Sequence, residues 1–344
     1  VTELRKLVQI KTIDRIDENP NADSLETAVI GGWKVVIRKD EFAVGDKVIY
    51  FEIDSALPTS VPEFAFLASR SEKSVLNKNE YVNVHILRTA KLRGQVSQGL
   101  ILPLGFGLTE DSTPEEVSET FENLGVFKYE PPLPGGSTQV GSFPTKVARK
   151  TDSERVQNLT DEFLQSLDPT EWVATEKIDG TSATFWKLDG ELHAAGRNWE
   201  LSLEGGHSHA LIARQYNLAE LIPEGGVIQG EIFGEGIQGN PLKINGIRLL
   251  VFSHGFAVPT DHSEEVDRFE NWVRENQAPR VPFNFPKTVE EAVEQVDGLK
   301  SLVNPQVLTE GVVWWNINGK TYEELGDRPN FKEISGRFLL KHGG

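Results

Sequence analysis

Along the first 105 residues the apolar positions come in short runs rich in Val, Ile, Trp, Tyr and Phe. Residues 27–38 (TAVIGGWKVVIR) and 47–53 (KVIYFEI) are the clearest, with Pro20-Asn21-Ala22-Asp23 and Val44-Gly45-Asp46 as turns around them. Residues 82–88 follow, then 99–103 after Arg93-Gly94. Several short strands with Gly-marked turns predict a small all-β barrel. Residues 114–122 read as a short helix, and 129–134 (YEPPLP) with Gly135-Gly136-Ser137 as a Pro/Gly linker.

Beyond residue 158 the pattern changes to strands interrupted by helices. Residues 172–176, 182–187, 191–195, 227–233, 248–252 and 312–317 read as strands, with Asp189-Gly190 a hairpin turn. Residues 210–221 and 261–276 read as helices. In the second of these Val266, Phe269, Trp272 and Val273 share a face, and Ser263 is placed to cap the N-terminus. Thr288 and Glu291 form a capping-box pattern ahead of Ala292, Val293 and Val296. This order predicts an α+β domain with antiparallel sheets. The expected organisation is residues 1–128 as the barrel with a helical extension, 129–158 as linker and basic segment, and 159–344 as the second domain.

Composition narrows the chemistry. The 344 residues include no Cys and no Met. Lack of Cys excludes disulfides, thiolate zinc sites, iron–sulfur clusters and a cysteine nucleophile. No run approaches the ~18–20 apolar residues that cross a bilayer, and the N-terminus lacks the order of a signal peptide. A cytoplasmic protein with no membrane partner is expected. A net charge of −17 argues against non-specific nucleic-acid binding. The charge is uneven, however. Acidic runs at 111–119 and 264–270 contrast with basic stretches at Arg88, Lys91 and Arg93 and at Lys146, Arg149, Lys150 and Arg155, which could line a groove.

The most informative stretch is Glu176-Lys177-Ile178-Asp179-Gly180-Thr181, set between two apolar strands. Alone, a lysine at a strand end commonly snorkels to water. Asp179, Glu231 and Glu310 are three carboxylates beside apolar runs. Glu231 lies inside its strand, where an unpaired charge would be costly. Taken singly, each reads as a salt-bridge member; as a set with Lys177 they read as a site for a hydrated metal, because magnesium takes oxygen ligands and keeps several waters. A lysine that attacks phosphorus must be neutral, so the pocket is expected to lower its pKa from ~10.4. Gly180 is either an ordinary turn glycine or a point where the backbone comes close to a ligand. His207-Ser208-His209 has no third ligand at metal spacing and reads as a loop leading into a helix.

Downstream come Gly196-Arg197-Asn198, Gly230-Glu231-Ile232-Phe233-Gly234, Val251-Phe252, Thr309-Glu310-Gly311-Val312-Val313 and Phe331-Lys332. With Lys177-Ile178-Asp179-Gly180, this series resembles motifs I, Ia, III, IIIa, IV and V of the lysine-dependent nucleotidyltransferases, the superfamily of the ATP-dependent polynucleotide ligases. Within it the chain is most similar to the Deinococcus- and Naegleria-type RNA ligases. Residues 125–132 (GVFKYEPP), 150–158 (KTDSERVQN) and 331–341 (FKEISGRFLLK) resemble that branch. Asn21-Ala22-Asp23-Ser24-Leu25-Glu26, Gly31-Gly32-Trp33, Val44-Gly45-Asp46 and Leu92-Arg93-Gly94 with Ser97-Gln98-Gly99 resemble OB-fold modules that bind tRNA. DNA ligases and capping guanylyltransferases, the nearest alternatives, place an OB domain after motif V. Only twelve residues follow Lys332, so no such domain is expected. A non-catalytic RNA-binding protein of the OB type is the alternative from another class; it leaves the motif series unexplained.

The resemblance implies an N-terminal all-β OB-fold barrel followed by an α+β nucleotidyltransferase domain with antiparallel sheets. It implies ATP and Mg²⁺ or Mn²⁺ as cofactors, and a monomer acting on nicked duplex RNA or an RNA/DNA hybrid. Lys177 is then the nucleophile that forms lysyl-AMP. Lys332 neutralises the α-phosphate, and Arg197 binds the adenylate and later the 5′-phosphate. Glu176, Gly180, Phe252, Lys150 and Arg155 join the nucleotide site, with Phe252 either stacked on adenine or simply in the core, and Lys150 and Arg155 either on the ATP phosphates, on the RNA backbone or in a solvated linker. Asp179, Glu231 and Glu310 hold the metal largely through water, Glu231 being open between metal and ribose. Many relatives carry a second lysine two positions after Lys332. Ile334 stands there, and Lys341 is the candidate substitute.

Overall fold

The computed structural model describes residues 7–78, 80–131 and 135–342. The chain forms two compact units: Val1–Pro131 with Gln157–Thr160 and Leu339–Gly344, and Pro132–Val156 with Asp161–Phe338. No helix among the described residues is long and apolar enough to cross a membrane.

In the first unit the elements are β1 (Val8–Thr12), β2 (Arg15–Glu18), β3 (Leu25–Ile30), β4 (Trp33–Arg38), β5 (Lys47–Phe51), β6 (Ser55–Pro58), β7 (Lys73–Asn77), β8 (Glu80–Ile86), β9 (Thr89–Leu92), β10 (Gln95–Gln98), β11 (Leu100–Pro103), α1 (Pro114–Asn123) and β12 (Phe127–Lys128). The long apolar run 27–38 is two strands. Gly31, at φ +57°, reverses the chain and sets Ile30 opposite Trp33. β5 lies between β1 and β11. Its Val48 and Tyr50 join a core with Trp33 and Ile13, while Ile49 and Phe51 join another with Phe64 and Phe121. Burial of both faces is why this strand reads as a continuous apolar run rather than an alternation. The Trp33 indole N–H, which burial would otherwise leave costly, donates to Asn158 Oδ1 at 2.8 Å. α1 is closed by a full capping box between Thr113 and Glu116.

The second unit runs β13 (Gln139–Ser142), β14 (Glu154–Arg155), α2 (Asp161–Ser166), β15 (Trp172–Lys177), β16 (Thr181–Leu188), β17 (Glu191–Ala195), β18 (Trp199–Leu201), α3 (Ser208–Gln215), α4 (Leu218–Leu221), β19 (Gly226–Gly234), β20 (Ile247–Phe256), α5 (Glu264–Glu275), α6 (Val289–Val296), β21 (Gly311–Asn316) and β22 (Asn330–Ile334), after which α7 (Gly336–His342) begins. β13 and β14 thus lie in the stretch read as linker, of which residues 132–134 fall outside the described residues. Six strands form one sheet in the order β13-β18-β17-β16-β19-β20, and four form a second in the order β14-β22-β21-β15. All of these pairs are antiparallel except β14 with β22.

One face of the six-stranded sheet is apolar. Ala183, Phe185, Ile228, Ile232 and Val251 pack against Ile212, Leu218, Phe269 and Val273 from the helices. The other face carries Ser182, Thr184, Gln229 and Glu231, since successive residues alternate across a strand. The four-stranded sheet divides in the same way. Trp172, Trp314 and Phe331 pack on one side, with the Trp314 and Phe331 rings stacked at 5.0 Å.

Two local expectations are corrected. The helix expected over 210–221 is broken into α3 and α4, because Asn217 adopts a left-handed φ of +49° between them. The loop expected at His207-Ser208-His209 ends at His207, the N-cap of α3; Ser208 and His209 already belong to the helix, His209 as a buried residue of its first turn. Ser263 caps α5 by accepting from Val266 N. At α6, Thr288 accepts from Glu291 N, but the Glu291 carboxylate returns to Lys287 N rather than to Thr288 N, so the box is half closed.

Candidate active site

The site lies where β15 of one sheet passes directly into β16 of the other through Ile178-Asp179-Gly180. Cross-strand partners share a face. Lys177 pairs with Gly311, Val313 with both Thr175 and Lys332, and Arg155 with Lys332. Lys177, Lys332 and Arg155 therefore stand on one face of the four-stranded sheet, opposite the face that holds Trp172 and Trp314. Ile334 pairs with Gly311 and is buried, so the position of the absent second lysine is an apolar member of the same face.

Lys177 Nζ donates to Glu310 Oε2 at 2.7 Å. Burial pulls its pKa down, but Glu310, Glu231 and Asp179 more than offset that and hold it above the ordinary lysine value. The expected lowering therefore does not come from the protein's own groups here, which favour an ammonium paired with a carboxylate. The carboxylates are perturbed in turn. Burial, then the charge of Glu310, pushes Asp179 up to about 7. Burial pushes Glu231 up to about 8, with Glu310 and Asp179 adding to the rise and Lys177 and Arg197 opposing it. More carboxyl groups are gathered than the one lysine can pair with. All the donors are hard oxygens, a set that suits magnesium or manganese. Among the described residues no group of three or more His, Asp or Glu is placed to hold an ion directly.

Gly180 is explained by the protein itself. A Cβ there would fall 2.2 Å from Ile232 O and 3.0 Å from Glu231 Cγ, so the link passes against β19 with no room for a side chain. Glu176 is on the other face. It is buried, and its Oε2 accepts from Leu302 N at 2.8 Å. Its carboxylate thus orders the loop after α6 and does not join Lys177. Burial raises its pKa against the hydrogen bonds that lower it.

Phe252 sits at the β-bulge between β19 and β20, its ring stacked on Trp315 at 5.8 Å and 19°. Trp315 donates through Nε1 to Thr175 Oγ1 at 3.1 Å. Arg197, at the tip of the β17–β18 hairpin, is ion-paired with Asp152, and Lys150 Nζ donates to the neighbouring Asn198 Oδ1 at 2.9 Å. Lys341 belongs to the first unit, not to the one that holds Lys332. In the first unit, Arg88 lies over the Tyr129 ring at 5.7 Å, Lys91 is on β9, and Arg93 takes φ +48° in the β9–β10 turn.

A family profile described as an OB-fold domain matches residues 7–104, and one described as RNA ligase matches residues 170–333. Among solved structures, a ligand-free variant of Naegleria gruberi RNA ligase is 31% identical, with 99% of each chain covered and a TM-score of 0.80. The chain belongs to the RNA ligase family. The same Naegleria enzyme with pyrophosphate superposes with a TM-score of 0.76 at 31% identity over 99% of each chain. A lysine variant of it with ATP and manganese gives 0.77 at 31% identity, over 98% of this chain and 99% of that one. No match is found among curated proteins. The fold of this RNA ligase is the expected one, an N-terminal OB-fold domain followed by an α+β domain with antiparallel sheets.

Sequence reasoning gave no role to Trp315 or Asp152. Trp315 was within reach, since counting by twos from Gly311 along β21 places it on the face of Val313. Asp152 lies within a stretch noted for its resemblance, but only the fold brings it to Arg197.

Proposed function

We propose that this enzyme is an ATP-dependent RNA ligase that joins 3′-OH and 5′-phosphate ends at nicks in duplex nucleic acid whose 3′-OH strand is RNA. The observation that carries the reading is Lys177, ringed by Glu310, Glu231 and Asp179, on the same sheet face as Lys332 and Arg155. Complexes of the Naegleria relative with ATP and manganese, AMP and manganese, and pyrophosphate support ATP as the co-substrate.

Lys177 Nζ, once it has given up its proton and left Glu310, attacks the α-phosphorus of ATP. A P–N bond forms and pyrophosphate departs. Lys332 offsets the charge that develops on the phosphate oxygens, with Arg155 beside it. AMP then passes to the 5′-phosphate of the nick, breaking the P–N bond and regenerating the lysine. The RNA 3′-hydroxyl attacks that 5′-phosphate, forms the phosphodiester and expels AMP. Asp179, Glu231 and Glu310 would hold a divalent ion largely through its waters; when bound, it supplies positive charge that lowers the proton affinity of the amine and stabilises the phosphate. Phe252 gives adenine a stacking surface, and Arg197 a guanidinium suited to phosphate oxygens.

Mass spectrometry after incubation with ATP and Mg²⁺ or Mn²⁺ tests the reading. The parent should gain one AMP and Lys177→Ala none. Sealing of a non-adenylated nick by Lys177→Ala would overturn the assignment of the nucleophile. No adduct on the parent with either metal would favour the RNA-binding alternative. Matched nicks with RNA or DNA on the 3′-OH side separate RNA ligase from DNA ligase.

A further inference from the structure

Four consecutive residues, 149–152, cross between the two sheets of the second unit, and each is tied down. Gln229 Nε2 donates to Arg149 O at 2.8 Å, Lys150 Nζ to Asn198 Oδ1 at 2.9 Å, and the Thr151 and Ser182 hydroxyls are hydrogen-bonded to each other at 3.0 Å. Asp152 Oδ1 accepts from Arg197 Nη2. On the other side, Arg149 Nη1 donates to Asp327 O at 3.2 Å and Arg328 Nη1 to Lys150 O at 3.4 Å, both on the β21–β22 connection. Gln229 and Ser182 belong to the polar face that carries Glu231, and Arg197 lies close enough to lower the pKa of Glu231. The strap therefore fixes the Arg197 hairpin relative to both sheets. Arg197 Nη2 is taken by Asp152, but Arg197 Nε is buried and has no hydrogen-bond partner. The side chain as a whole is nevertheless 39% exposed, so the clamped guanidinium still stands within reach of a ligand.

Building on the ligase reading, we propose that Asp152 is a positioning residue for phosphate capture: it clamps the Arg197 guanidinium by Nη2 so that the exposed edge of the group meets an oxygen of a nucleotide phosphate. Two sources share that chemistry, ATP itself and the 5′-phosphate of the strand to be joined. A carboxylate is the right clamp because it accepts a charge-assisted bond from one edge of the guanidinium while leaving the neighbouring donor free.

The test is equilibrium binding in a Lys177→Ala background, where no chemistry occurs, with ATP in one arm and a 5′-phosphorylated RNA against its 5′-hydroxyl counterpart in the other. Adding Asp152→Ala should weaken binding about tenfold in at least one arm. Arg197→Ala should do the same, and the double variant should be no weaker than either alone. Asp152→Asn, which keeps an acceptor oxygen, should recover most of the loss. In the Lys177 parent the same change should raise the ATP concentration for half-maximal AMP attachment more than it lowers the maximal rate. Unchanged binding in both arms, or additive losses from Asp152→Ala and Arg197→Ala in a variant that melts like the parent, would overturn the proposal. Because binding is read without catalysis, failure here is distinct from a parent that forms no AMP adduct.

Discussion

Lys332 stands directly across from Val313, and Lys177 across from Gly311, so the two lysines share a face of one sheet, separated by a single strand and two residues along it. Lys177 is held by Glu310, whereas Lys332 shares its register position with Arg155 on β14. On the proposed mechanism one lysine is the nucleophile and the other supplies fixed positive charge. Removing a fixed charge that meets developing negative charge typically costs roughly 100-fold or more in rate. Lys332→Ala should slow AMP attachment to Lys177 by that order in single-turnover experiments, with thermal stability little changed. A rate within twofold of the parent would remove Lys332 from the adenylation step.

The Trp315 ring lies parallel to that of Phe252 and fixes its plane. Such a pair contributes about 0.5–1.5 kcal/mol beyond its buried area. Trp315→Leu in the Lys177→Ala background should weaken ATP binding about threefold to tenfold by letting Phe252 turn. Titration with ATP checks this, and an unchanged dissociation constant would mean that Phe252 is not the base platform.

Gly180 and Gly311 tolerate no side chain. A Cβ at Gly180 would lie 2.2 Å from Ile232 O, and one at Gly311 2.0 Å from Glu333 O, both backbone atoms of paired strands. Gly180→Ala and Gly311→Ala should each destabilise the protein by roughly 2 kcal/mol or more in urea unfolding. Gly206→Ala, where nothing lies within 4 Å, is the matched control and should cost about 0.5 kcal/mol or less. Equal stabilities for all three would contradict both close approaches, of the β15–β16 link to β19 and of β21 to β22.

His209 gives the protein an acid-sensitive point. The ring is fully buried, and its Nε2–H donates to Ser182 O at 3.1 Å. Burial lowers its pKa to about 4, with the bond to Ser182 opposing. The unfolded chain takes up this proton near pH 6.5 and the folded one only near pH 4, so stability falls as pH falls through that window. The loss from this one group is on the order of 3 kcal/mol. Asp179 and Glu231 act in the opposite sense, since their folded forms keep protons up to about 7 and 8 and lose stability as pH rises toward those values. The contribution of His209 is therefore read as a difference. Urea unfolding of the parent and His209→Gln at pH 7, 5.5 and 4.5 should show the parent losing more stability on acidification. Parallel profiles would rule out a buried neutral histidine.

Much of the fold was legible wherever one physical requirement dominates. Alternation, or burial of both faces, marked β3, β4, β5, β15, β16, β19 and β21, and the capping residues Ser263 and Thr288 marked helix starts. The short strands β13, β14 and β18 left no such mark. They are two to four residues long and owe their pairing to neighbours distant in sequence. The α3–α4 break escaped the reading because apolar spacing continues across Asn217 while its backbone does not.

The candidate site divides along the same line. The sequence by itself pointed to the RNA ligase family, because an ordered series of short motifs survives in the one-dimensional chain, and it named the residues proposed to carry the chemistry. Tertiary structure alone decided how they are arranged. Register put Lys332 and Arg155 on the face of Lys177 and sent Glu176 to the opposite one. The packing of β16 on β19 made Gly180 obligatory, and the strap brought Asp152 to Arg197. The charge on Lys177 was likewise beyond the sequence. It reflects burial set against three carboxylates, and that balance depends on distances between residues as far apart in the chain as Lys177 and Glu310.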